Sequence, residues 1–161
     1  MNAALYGSIW ISLTLFTLAE AGKRGIHSGR APQPWAWPVS VAGLAIATAH
    51  IAIAMHARYD WDHAALIAAT ARQTNDVFGL NWGRGAYLNY VFVAIWAIEI
   101  AWWRMSSSSY ESRPRAVTWL VRGFFLVMIL NAAVIFAGGW RRALGVIILV
   151  AILLAWRRMT P

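Results

Sequence analysis

Apolar residues in this chain gather into long, nearly continuous runs separated by short polar stretches. That is the pattern of membrane-crossing helices, not of helices with one wet face. The runs fall at about 3–20, 35–59, 86–104, 116–137 and 143–156. At 1.5 Å of rise per residue, about 20 residues cross the hydrocarbon core. The pattern therefore predicts an all-α, polytopic transmembrane helical bundle of four to five spans, with residues 1–161 forming one integral membrane domain. The last run is the short one, roughly 21 Å long as a helix. Snorkelling arginines at both its ends, Arg141 and Arg142 before it and Arg157 and Arg158 after it, extend its reach. Trp35 and Trp37 at one end of the second run, and Tyr59 at the other, sit where interface anchors belong.

The segment 60–84 reads differently. It mixes Asp60, Asp62, Arg72 and Asp76 with short apolar stretches. Asp60 or Asp62 suits a helix N-cap, and Gly79 is a natural stop. The reading is a short interfacial helix over about 62–78, lying at the outer membrane surface, then a turn through Asn81-Trp82-Gly83-Arg84-Gly85.

Composition sharpens this picture. Of 161 residues, 60% are hydrophobic and 12% charged, about half the charged fraction of a soluble domain. The net charge of +8 sits in clusters at the ends of apolar runs, as positive-inside topology and anionic headgroups would place it. Nucleic-acid binding is set aside on that ground, and the lipid bilayer is the first partner. There is no cysteine, which excludes thiolate metal sites and cysteine catalysis. Ala19-Glu20-Ala21 resembles a cleavage site, but no positive stretch precedes the first run. The expectation is an uncleaved first helix with its N-terminus outside, the loops 22–34 and 105–115 and the C-terminus cytoplasmic, in a prokaryotic inner membrane. Arg141 and Arg142 fall on the outer side in that topology, against the rule.

Several polar residues stand where chemistry is conceivable. His56, Asp60 and His63, spaced i, i+4, i+7, would share one face of an unbroken helix. Imidazole and carboxylate together suit a divalent metal or a proton path. The plainer reading is helix capping and headgroup contact, since the spacing matches no metal motif. His50 lies inside the second run, where an ionisable group is a functional hypothesis. The alternative is a hydrogen bond to a neighbouring helix. Glu99 and Arg122 also lie inside apolar runs, and an antiparallel arrangement of the third and fourth runs sets them at similar depth, which predicts that their side chains meet or share a polar neighbour; a proton or anion pathway is the sharper alternative. Asn89 and Asn131 match in depth near the outer side. Gly7, Ser8 and Ser12 give the first run a small packing face. Gly-x-Ser-x-Gly, Walker and dinucleotide signatures are missing, so neither a catalytic residue nor a cofactor can be named.

The stretch from His56 to His63, then Thr70-Ala-Arg-Gln-Thr74, then Asn81 to Tyr90, resembles a pattern in small uncharacterised bacterial polytopic membrane proteins. The resemblance covers roughly the middle fifth of the chain, and implies membrane residence and no activity. Three functional readings follow. The first is a non-catalytic accessory or assembly subunit of a membrane complex, with a protein partner or self-association. The second is an intramembrane metal-dependent or redox protein using the His/Asp cluster. The third is a small oligomeric transporter or channel.

Overall fold

The computed structural model describes residues 2–23 and 31–157, and among them there is helix and turn but no strand. The helices are α1 (Asn2–Lys23), α2 (Ala36–Tyr59), α3 (His63–Phe78), α4 (Tyr87–Met105), α5 (Ser107–Glu111), α6 (Arg115–Leu130) and α7 (Trp140–Arg157). Among the described residues, three stretches are long and apolar enough to cross a membrane: Ala36–Tyr59, Gly83–Met105 and Arg115–Ile135. The sequence pattern predicted four to five such spans. The 22-residue α1 and the 18-residue α7 pack alongside these three.

The long helices run alternately up and down. Ser8 meets His50 and Ser12 meets Gly43, so positions advance along α1 as they retreat along α2. Trp37 bonds to Ile100 and Trp96 to Ser40, which makes α2 and α4 antiparallel. Glu20 of α1 bonds to Trp156 of α7, so these two run parallel. The end where α1, α4 and α7 finish therefore also holds the starts of α2 and α6. That end carries Lys23, Arg104, Arg113, Arg115, Arg122 and Arg157. Arg58, Arg72, Arg84, Arg141 and Arg142 belong to the other end, with Asp60, Asp62 and Asp76. The first is called here the basic end.

The core is aromatic at its centre. Trp96 is 1% exposed and lies edge-on to Phe16 at 5.0 Å between ring centroids. Its indole N–H donates to the Ser40 hydroxyl at 3.0 Å, so burial leaves no orphan donor. Gly43 makes room for the indole, because a Cβ there would meet Trp96 ring carbons at 3.0 Å. Ser12 closes the same layer by donating to the Gly43 carbonyl at 2.8 Å.

Local chemistry sets the breaks. Helix α2 stops at Tyr59 because Asp60 (φ 46°) and Trp61 (φ 61°) are both left-handed, with their N–H groups turned back to the Met55 carbonyl. Asp62 then caps α3, its Oδ1 accepting from the Ala64 N–H at 2.7 Å. Gly79, at φ 68°, ends α3. The predicted interfacial helix over 62–78 thus corresponds to α3 with its cap. A 3-10 turn, Gly83–Ala86, leads into α4 and packs on α3 so closely that a Cβ at Gly83 would strike the Ile67 carbonyl.

The predicted run 116–137 is interrupted. After Leu130 the chain widens into a π turn, Asn131–Ile135, closed by Phe136 N–H to the Asn131 carbonyl at 2.9 Å. Gly145 of α7 sits against the Ala133 backbone of this turn, and only a residue without Cβ fits. Arg142 donates to the Val134 and Ala137 carbonyls at 3.0 and 3.2 Å, supplying donors to carbonyls at the helix end. With Arg142 so engaged, α7 starts at Trp140, earlier than the predicted 143.

Candidate functional site: a buried polar cluster at the basic end

Five ionisable side chains from α1, α4, α6 and the turn after α5 lie buried together at the basic end: Glu20, Lys23, Glu99, Arg113 and Arg122. Two carboxylates organise them. Glu20 holds Lys23 at 2.5 Å through Oε1 and accepts the Trp156 indole N–H at 2.8 Å through Oε2. Glu99 holds Arg113 at 2.5 Å through Oε1 and accepts the Tyr110 hydroxyl at 2.8 Å through Oε2. Each carboxylate thus has one cation and one neutral aromatic donor. Glu20 ties α1 to the distant α7, and Glu99 ties α4 to α5 and the turn after it.

Aromatic faces join the two halves. The Lys23 ammonium lies 5.4 Å from the Trp103 ring and 5.9 Å from Tyr110. The Arg113 guanidinium stands 4.4 Å over Tyr110, and its Nε donates to the Thr118 hydroxyl at 3.0 Å. Cation–π contacts of this kind gain strength where water is excluded. Tyr110 is therefore the hinge of the cluster, 1% exposed, with one cation on Glu99 and another on Glu20 against its ring. Burial pushes its hydroxyl up from 10.0 to about 12; Lys23 and Arg113 oppose that rise, and Glu99 and Glu20 add to it. The hydroxyl is neutral at physiological pH and serves as a donor.

Glu99 and Arg122 do not meet directly. Arg113 takes the Glu99 carboxylate. Arg122 instead lies 5.3 Å from the Trp156 ring and 5.8 Å from Trp119, and the carboxylate acting on it most strongly is that of Glu20. Arg113 belongs to the stretch 105–115, which the sequence pattern marks as a loop. It is 4% exposed because the short α5 folds Tyr110 and Arg113 back beneath α4. The faint signal was an arginine three residues before the first residue of an apolar run, near a lone tyrosine in a serine stretch.

The His56, Asp60 and His63 face requires an unbroken helix, and α2 ends at Tyr59. All three side chains are exposed, with His63 opening α3 and its Nε2 3.4 Å from the Tyr90 hydroxyl. No group of three His, Asp or Glu among the described residues is arranged to hold a metal. The predicted metal set is corrected on that geometry: two left-handed residues turn the chain between Tyr59 and Asp62. His50, half-buried, has its Nδ1 3.0 Å from the Ser8 hydroxyl. Asn89 is exposed on α4 and Asn131 opens the π turn; no hydrogen bond joins them. Of the loop 22–34, residues 24–30 lie outside the described residues, and with them His27.

Chemically, the cluster can hold four long helices at one end in a fixed arrangement. Both oxygens of both carboxylates are engaged, and no buried side-chain nitrogen or oxygen among the described residues lacks a hydrogen-bond partner. Comparison of the chain with protein-family models, with curated proteins and with solved structures found no match.

Proposed function

We propose that the chain is a five-span protein of a prokaryotic inner membrane, with its N-terminus outside and its basic end cytoplasmic. We propose further that it serves as a non-catalytic accessory or assembly subunit of a membrane complex. In this reading α1 and α7 cross the bilayer beside the three longer apolar stretches, and α3 lies on the outer surface. Parallel α1 and α7, joined through Glu20 and Trp156, support an odd number of crossings. The charge of the basic end supports its orientation.

The observation that carries the accessory role is the engagement of all four carboxylate oxygens of Glu20 and Glu99 by donors of the same chain. Ionisable groups at this depth are costly, and usually mark a path or a site. Here they fasten helices to one another and make a rigid body suited to presenting a surface. The surface suited to a partner helix is on α2. Pro38, Ala42, Ala45, Ala49 and Ala52 are all exposed and recur at intervals of three and four, so they form one small-residue stripe.

The test is purification from native membranes in mild detergent. A stoichiometric partner, lost in Ala45→Trp and Ala49→Trp but kept in Ile147→Trp on the exposed face of α7, is the expected result. Solute flux by the chain alone in liposomes, or stoichiometric metal or haem in the purified protein, would replace this reading with the transporter or the redox one.

A further inference from the structure

The end opposite the polar cluster holds a second group of cations. Tyr6 of α1, Arg58 of α2 and Arg141 of α7 come together there from three helices. The Arg141 guanidinium carbon lies 4.2 Å from the Tyr6 ring centroid and that of Arg58 lies 5.9 Å away. Neither makes a salt bridge among the described residues, although Asp60 follows Arg58 by two positions. Tyr6 is 39% exposed, so the group is open to its surroundings.

Two further features have the same sign. Helices α1 and α7 both begin at this end, so both present the positive end of the helix dipole. The neighbouring Arg142 is occupied with the carbonyls of the π turn, but Arg141 is not. Like charges brought together without a counter-charge repel, and on the outer side of an inner membrane arginines are also disfavoured. An anion between the guanidiniums removes both costs. A phosphate suits them, because a planar guanidinium offers it two parallel N–H donors.

We infer that Tyr6, Arg58 and Arg141 form a binding site for the headgroup phosphate of an anionic phospholipid in the leaflet facing α3. The site lies at the end of apolar helices, where headgroups stand, and lipid tails would then run down the exposed apolar faces of α1 and α7. Ile11 and Leu18 on α1, and Leu144 and Ile147 on α7, are exposed below it. The inference is independent of the partner proposed on α2.

Native mass spectrometry of the detergent-purified chain tests it, with phosphatidylglycerol as the probe. The expected result is a bound phosphatidylglycerol whose apparent affinity falls about tenfold or more in R58Q/R141Q, since each charge-assisted bond lost is worth about that factor. R104Q/R157Q, at the other end, should retain it. Phosphatidylcholine should bind more weakly, and excess inorganic phosphate should not displace the lipid. Displacement by inorganic phosphate would show a free-anion site and overturn the lipid assignment. Equal affinity in R58Q/R141Q and the unaltered chain, or an equal loss in R104Q/R157Q, would overturn it too. If R58Q/R141Q does not fold, R58K/R141K gives the decision: charge remains, the planar forks go, and affinity falls about threefold or more. Unchanged affinity in that variant overturns the site.

Discussion

Replacing Glu99 with glutamine removes one negative charge from the centre of the basic end while keeping the side chain's size. Arg113 then stays 4% exposed without the carboxylate 2.5 Å from its NH1. Breaking one half of a buried pair costs about 3–5 kcal/mol, because the surviving charge is stranded. Two contacts soften the loss: the Tyr110 face at 4.4 Å and the Thr118 hydroxyl at 3.0 Å both remain. A loss of about 3 kcal/mol is therefore expected for Glu99→Gln, and a similar one for Arg113→Gln. Glu99→Gln with Arg113→Gln should cost less than the two singles together, with a coupling of about 1–3 kcal/mol. The same cycle with Arg122 in place of Arg113 should couple more weakly, since Arg122 stands with Trp156 and Glu20. Reversible unfolding in mixed micelles, followed by far-ultraviolet circular dichroism, reads all of these. A Glu99–Arg122 coupling as large as the Glu99–Arg113 one would refute the assignment of partners.

Three other outcomes are expected. Gly145→Ala should destabilise by about 1–3 kcal/mol, because its Cβ meets the Ala133 backbone, whereas Gly123→Ala, with nothing within 4 Å, should be neutral or slightly stabilising in the same unfolding assay. Asp62→Ala should cost α3 about 1 kcal/mol and raise amide exchange over its first turn, since it removes the acceptor for the Ala64 N–H. The Tyr110 hydroxyl is raised from 10.0 to about 12, so its contribution is complete below about pH 10 and is lost as pH rises through 12; an alkaline absorbance titration should show one late phenolate that is missing in Tyr110→Phe.

The long apolar runs were legible because hydrocarbon demands about 20 apolar residues in succession, whatever the neighbours. Helix α3 was legible because Asp62 and Gly79 are local signals that act within one turn. Pairing was not. Depth along two antiparallel helices matched Glu99 to Arg122, but depth does not say which side of a helix faces which neighbour. The winning partner, Arg113, sits in a stretch whose serines and proline read as solvent loop. Only the packing of Tyr110 against Trp102 and Trp103 turns that loop inward. The π turn was hidden for a similar reason: it packs against Gly145 on another helix, and nothing in 131–135 alone announces it. The His56, Asp60 and His63 face failed on two residues, since Asp60 and Trp61 both adopt a left-handed conformation that few residues other than Gly, Asn and Asp accept.

The central claim is that five helices cross the bilayer with the polar cluster on the cytoplasmic side, and absence of cysteine from the chain makes a direct test clean. Single cysteines at Asn2, Asn75, Ser109, Trp140 and Arg157 can be labelled in intact cells with a membrane-impermeant maleimide, before and after permeabilisation. The account predicts labelling from outside at Asn2, Asn75 and Trp140, and labelling only after permeabilisation at Ser109 and Arg157. Asn2 and Ser109 reacting from the same side, or Asn75 protected while Arg157 is open to the outside, would contradict it.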